Sequence, residues 1–153
     1  MQLVTLGSMD LRYELEHRAP SIEDYLRLRK DTGLTPKTAE QAEPIFDNTW
    51  LWVRVNDTDT HQTVGMGRVI GDGGWCFLIA DMATDPEHQR KGIGRAVLDE
   101  LLKGILTAAP ENPYIVLMAD APGRPLYKSM GFVETAPRSI GMRYAPEESE
   151  ASA

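Results

Sequence analysis

The chain is poor in the residues that build covalent or metal-held scaffolds. Cys76 is the only cysteine among 153 residues, which excludes an internal disulfide and a cysteine zinc cluster. The three histidines, His17, His61 and His88, are scattered without the spacing of metal ligands, and no metal is expected. No apolar run reaches the roughly 18 residues of a membrane span, and no charged-then-apolar signal peptide is visible. A membrane partner is therefore not expected, and the reading is a cytoplasmic protein. Positive charge is also short: 16 Lys and Arg stand against 23 Asp and Glu, a net charge of −7. That argues against nucleic acid as a partner and fits a cationic partner weakly.

What remains is enough for a core. Hydrophobic residues make up 42% of the chain, too many for a disordered one. One domain over residues 9–146 is expected. Gly7-Ser8 before Met9 has the look of a cloning scar, so residues 1–8 read as a leader outside the fold. Residues 147–153, within "APEESEASA", read as a frayed acidic tail.

The periodicities between them set an element order. "LRYELEH" alternates as a strand. Ser21 with Asp24 opens the helix "IEDYLRLRKDTG", which Gly33 closes. "TPKTAEQAEPIFDNT" reads as an irregular helix broken near Pro44. "WLWVRVND" and "QTVGMGRVIG" are strands around the turn "DTDTH". "WCFLIADMAT" is nearly all apolar, so it reads as the central strand. A long helix runs from Gly92 to Thr107 on the stripe Ile93, Val97, Leu98, Leu101, Leu102, Ile105 and Leu106. "PYIVLMAD" is a buried strand, "GRPLYKSMG" a short helix stopped at Gly131, and "FVET" and "SIGMRYA" are closing strands. The early hairpins predict antiparallel pairing, and the strand–helix–strand unit predicts a parallel pair.

The chemistry concentrates in "EHQRKGIGRAVLDELL". A helix N-terminus offers unpaired N–H groups and about half a positive charge, an anion site in itself. Gly92 and Gly94 leave the backbone open, and Arg90, Lys91 and Arg95 add charge. A pyrophosphate is the natural guest; a plain helix cap with a solvated basic turn is the other reading. The P-loop pattern and the dinucleotide fingerprint are both absent.

The run "IADMATDPEHQRKGIGRAVLDELL", with "LYKSMGF" further on, resembles the GNAT superfamily, the Gcn5-related N-acetyltransferases. The resemblance implies an α/β (α+β) fold with a central mixed, mostly antiparallel sheet of six to seven strands and about four helices. It implies acetyl-CoA as cosubstrate and transfer of an acetyl group to a primary amine of a small molecule in a direct ternary complex. A peptide N-terminus or lysine is the alternative acceptor, and a non-catalytic acyl-CoA sensor a further reading. Homodimer formation stays open. Met82, Ala83 and Thr84 match backbone contacts to the pantetheine arm. Gln89, Arg90, Lys91, Gly92, Ile93, Gly94 and Arg95 match the pyrophosphate loop. Tyr127 matches the tyrosine that protonates the leaving thiolate; its phenol, near pKa 10, is protonated at neutral pH. The base is open between Asp81, on the apolar strand, and Asp120, at the end of the next one. Water relayed from either, or a neutral amine, serves as well. The acceptor pocket is expected from "RKDTGLTPKT", Trp50 or Trp52, Arg68 and "SIGMRY".

Overall fold

The computed structural model describes residues 9–151. The expectation for the leader at 1–8 and for the last two residues of the tail lies outside them. The described chain divides into two compact units, one ending at Leu117 and one beginning at Met118.

The first unit is a five-stranded sheet in the order of the chain: β1 (Tyr13–Glu16), β2 (Leu51–Asp57), β3 (Thr63–Gly71), β4 (Cys76–Thr84) and β5 (Tyr114–Leu117). The first four pair antiparallel and β5 joins β4 in parallel. Strand alternation sorts side chains to two faces. The face carrying Val53, Val55 and Gly67 is covered by α3 (Ile93–Ala108), whose Val97 and Leu101 lie over Gly67. The face carrying Trp52, Met66 and Ala83 is covered by α1 (Ile22–Asp31) and α2 (Ala39–Asn48). Tyr25, Phe46 and Trp52 seal that side, with Phe46 stacked on Trp52 at 5.5 Å and Tyr25 edge-on to Trp52 at 6.0 Å. Such ring pairs contribute about 0.5–1.5 kcal/mol each beyond area burial.

Several details depart from expectation. The sheet has five described strands where six to seven are expected. "WCFLIADMAT" is an interior strand, but β3 is the central one. Pro44 lies inside α2 and does not break it. A capping box at the start, Thr38 with Gln41, satisfies two orphan donors there. Ala42, Ile45 and Phe46 then anchor the helix in the core, which outweighs the one lost N–H. On α3, Leu106 is 63% exposed while Glu100 is buried and meets His17 at 3.2 Å.

In the second unit, α4 (Arg124–Ser129) is the expected short helix, followed by Gly131 at φ 99. The closing strands do not form over residues 132–145. A turn does join the two stretches, with the Ser139 amide donating to the Thr135 carbonyl at 3.1 Å. Val133, Ile140, Met142 and Tyr144 are exposed, however, so little burial supports a two-stranded ladder. Part of the tail expected to fray is the short helix α5 (Pro146–Ala151). Its N-terminal proline and first-turn Glu147 and Glu148 suit a helix start.

The contact of β3 with α3 depends on Gly67. A Cβ there would lie 2.6 Å from the Met82 sulfur, 2.8 Å from Val97 and 2.9 Å from Leu101. Gly67→Ala is expected to cost about 1–3 kcal/mol by overpacking, and so to lower Tm by roughly 3–10 °C. Calorimetric melting checks this, and an unchanged Tm would show that α3 does not seat on β3 at this point.

Candidate functional site

The site begins with a fault in the sheet. Met66 pairs with Ala83 and Arg68 with Ala80, so Asp81 and Met82 of β4 together oppose the single residue Gly67. This is a β-bulge, which bends a strand and re-aims its side chains. Asp81 takes φ 55, a left-handed conformation uncommon outside glycine. Strain of that kind persists where surrounding contacts over-determine it.

Those contacts are polar. Arg29 of α1 donates through Nη1 to Asp81 Oδ1. Arg68 of β3 donates through Nε to Oδ2 at 2.6 Å, and the Tyr25 hydroxyl donates to the same oxygen at 2.8 Å. The Asp81 side chain is 6% exposed. Tyr25 and Arg29 stand one helical turn apart, so both reach the same carboxylate. Arg29 also clamps the α1–α2 loop, donating through Nε and Nη2 to the Thr35 carbonyl at 3.0 and 2.7 Å. Arg68 donates to Thr49 Oγ1 at 3.2 Å and lies over the Trp52 ring at 5.9 Å.

The bulge leaves a backbone edge. β5 pairs with β4 only from Cys76↔Tyr114 to Ile79↔Leu117. No described strand pairs with that side of β4 at Met82, Ala83 and Thr84, which is where an extended ligand can add like a strand.

After β4 a tight helical turn, Pro86–His88, leads to the loop 89–92. Its footing is fixed on both sides. Arg27 donates to Asp85 Oδ2 at 2.8 Å, and Tyr13 Oη lies 2.8 Å from His88 Nδ1. Gln89, Arg90, Lys91 and Gly92 are exposed. Arg90 at φ 62 and Gly92 at φ 81 turn the chain into α3. Gly92 is the N-cap and supplies no side-chain cap, and no acid stands in the first turn. The α3 N-terminus therefore presents donors and no competing carboxylate, as an anion site requires. Ile93 of the expected loop set is buried and packs at Gly65, so its side chain is core and only its amide can serve. Gly94 and Arg95 belong to the first turn of the helix.

In the second unit, Asp120 precedes the tight turn Ala121–Gly123 and makes no side-chain cap. Tyr127 sits on α4, edge-on to Phe132 at 6.1 Å. Burial first, and the Asp120 charge second, push its phenol up from its ordinary value. The proton is thus held firmly at neutral pH.

The bulge, the bared edge and the open helix start follow one another along a single stretch of chain. A family model described as "Acetyltransferase (GNAT) domain" matches residues 47–134. The chain belongs to the GNAT acetyltransferase family. The chloroplastic GCN5-related N-acetyltransferase 2 of Arabidopsis thaliana is 34% identical over 85 residues, 55% of this chain and 32% of its own length. GCN5-related N-acetyltransferase 1 of the same plant is 30% identical over 74% of this chain and 53% of its own length. The chain thus spans about a third to a half of those GNAT relatives. Among solved structures, a Staphylococcus aureus protein superposes with a TM-score of 0.82 at 37% identity, over 87% of this chain and 98% of that one. The ribosomal-protein-S18-alanine N-acetyltransferase of Escherichia coli shares the fold at a TM-score of 0.66 and 17% identity, over 81% and 79%.

One member of the site, Tyr25, was missing from the sequence reading, and Arg29 entered it only within the pocket stretch "RKDTGLTPKT". Their spacing on one helix was the available signal, but nothing local to α1 showed that a carboxylate of β4 would meet them. No described helix is long and apolar enough to cross a membrane.

Burial, then the Asp81 carboxylate, pushes Tyr25 up to about 12. The unfolded phenol ionises near 10. Stability from this group is therefore full below pH 10 and falls as pH rises toward 12, because the unfolded state sheds its proton first. Tyr25→Phe removes that titration. Its Tm should decline less steeply than that of the wild type from pH 10 to 12, followed by circular dichroism. Equal slopes would show that the phenol does not titrate with folding.

Proposed function

We propose that this GNAT chain is an acetyl-CoA-dependent N-acetyltransferase that acts on a primary amine in a direct ternary complex. The observation that carries the reading is the bared edge of β4 at 82–84 leading into an uncapped, glycine-opened helix start. The pyrophosphate of acetyl-CoA would take the amides of Gln89 to Arg95, with Arg90 and Lys91 adding charge. The pantetheine arm would run back along Thr84, Ala83 and Met82, bringing the thioester to Asp81.

The amine nitrogen forms the new C–N bond to the thioester carbonyl carbon, the C–S bond breaks, and the nitrogen sheds its remaining extra proton through water, which returns Tyr127 to its phenol form. Tyr127 gives its proton to the departing thiolate, for which a firmly protonated phenol is suited. The ammonium proton must leave first. Asp81 already accepts from three donors, and a proton placed there would displace one of them. We therefore assign it to holding the site open. Asp120, without a cap bond of its own, is the carboxylate we assign to that proton, directly or through water.

The acceptor is a small amine in this reading. A Glycine max relative named histone acetyltransferase TAP1, 33% identical over 84 residues and 33% of its own length, favours a protein lysine as the second reading. An assay of CoA release with small amines and a lysine peptide side by side separates the two.

Gly92→Val puts a side chain where phosphate must approach and a β-branched residue at φ 81. CoA affinity should fall more than tenfold, about 1.4 kcal/mol, while the fold survives. Unchanged affinity in titration calorimetry would remove the loop from the site. Tyr127→Phe should lower kcat by roughly 10²-fold with little change in acetyl-CoA affinity. A single-turnover rate equal to wild type would sink the assignment of the proton donor.

A further inference from the structure

The Arg29–Asp81–Arg68 cluster is unbalanced, with two guanidiniums and one carboxylate. Arg29 is engaged at all three nitrogens: Nη1 holds Asp81, and Nε and Nη2 hold the Thr35 carbonyl. Arg68 is not. Its Nε goes to Asp81 and its Nη1 to Thr49 Oγ1, while Nη2 has no partner among the described residues. Its side chain keeps 13% of its surface exposed. Beside it, across the β2–β3 ladder, stands Trp52. The Trp52 side chain is deeply buried, with the residue 7% exposed, and its indole N–H has no hydrogen-bond partner. The cluster therefore has spare donors and spare positive charge, and both oxygens of its single acid are taken. A buried polar group such as the Trp52 indole N–H is normally paired, and together with the free, partly exposed edge of Arg68 it points to a ligand rich in acceptor oxygens.

Their place says which ligand. A thioester carried back along Thr84, Ala83 and Met82 reaches β4 at Asp81, the residue that Arg68 holds. We propose that the acceptor amine carries a carboxylate, and that the free edge of the Arg68 guanidinium reads it. The inference rests on the acetyl-CoA reading above and narrows it to amino-acid-like acceptors. A planar guanidinium can hold Asp81 through one edge and a second carboxylate through another, which a lysine ammonium cannot do with the same geometry. The net charge of −7 pulls the other way, toward polycationic amines. That field is screened within about 8–10 Å at physiological salt, so it governs approach, whereas contact at the cluster governs choice.

The test uses amines that differ only in the carboxylate: L-phenylalanine against phenethylamine, L-lysine against cadaverine, and β-alanine against ethylamine. Binding is measured by calorimetry on the full chain saturated with CoA, and turnover by CoA release from acetyl-CoA. In at least one pair the acid should bind at least tenfold more tightly and show the lower KM. Arg68→Gln should erase that preference, raising the KM of the acid far more than that of its decarboxylated partner. Arg68→Lys keeps a cation beside Asp81, so it serves as the folded control if Arg68→Gln does not fold, and it should lose most of the preference as well. The proposal is overturned if the decarboxylated amine binds as well in every pair, if no acid binds the CoA-loaded protein, or if both Arg68 variants weaken acid and amine alike. Loss of CoA binding by the wild type would instead remove the acetyltransferase reading itself.

Discussion

One buried carboxylate organises the first unit. Asp81 occupies a left-handed backbone position inside a strand, opposite a single glycine, and three donors from two other elements hold it there. Without them, the bulge would be a costly irregularity in an apolar strand. With them, it fixes where β4 turns, and so where its edge becomes available at Met82 to Thr84. The same carboxylate ties α1 to the sheet, and through Arg29 it ties down the loop between α1 and α2. A charge placed in the interior to specify geometry is a use to which buried ion pairs are well suited even when their net contribution to stability is small.

The helix start is a second constraint, and it works by omission. α3 lacks the serine, threonine or aspartate that ordinarily caps a helix, and it lacks first-turn acids. The other two α-helices of the first unit, α1 and α2, each carry a side-chain cap and a first-turn acid, and α3 carries neither. The loop is open at its tip and fixed at its base, where Arg27 holds Asp85 and Tyr13 meets His88. A rigid footing under exposed amides is the arrangement that lowers the ordering cost of binding.

The sequence was most informative where a feature is local. The glycines at 92 and 94, the cap at Ser21 and the strands of β2 and β3 around "DTDTH" are all short-range signals, and the structure carries each of them. The long stripe of α3 was legible apart from Leu106 and Glu100. At those two positions, burial depends on how far the sheet reaches beneath the helix. What could not be read was non-local. The partners of Asp81 come from positions 25, 29 and 68; 25 and 29 share a helical spacing, but nothing in it links them to 68 or to Asp81. Pro44 was misread because its cost was visible while the anchoring of Ala42, Ile45 and Phe46 was not. The stretches "FVET" and "SIGMRYA" have strand-like alternation, yet pairing needs a surface to bury against. Their apolar side chains stand exposed among the described residues.

The central claim is that acetyl-CoA lies along the edge of β4 and ends its phosphates on the first turn of α3. Amide hydrogen exchange, followed residue by residue with and without CoA, addresses it most directly. The account predicts that CoA slows exchange at residues 82–84 and 92–95 while amides in the middle of β2 and β3 stay unchanged. Saturating CoA that leaves both stretches unaltered and protects amides elsewhere would contradict it.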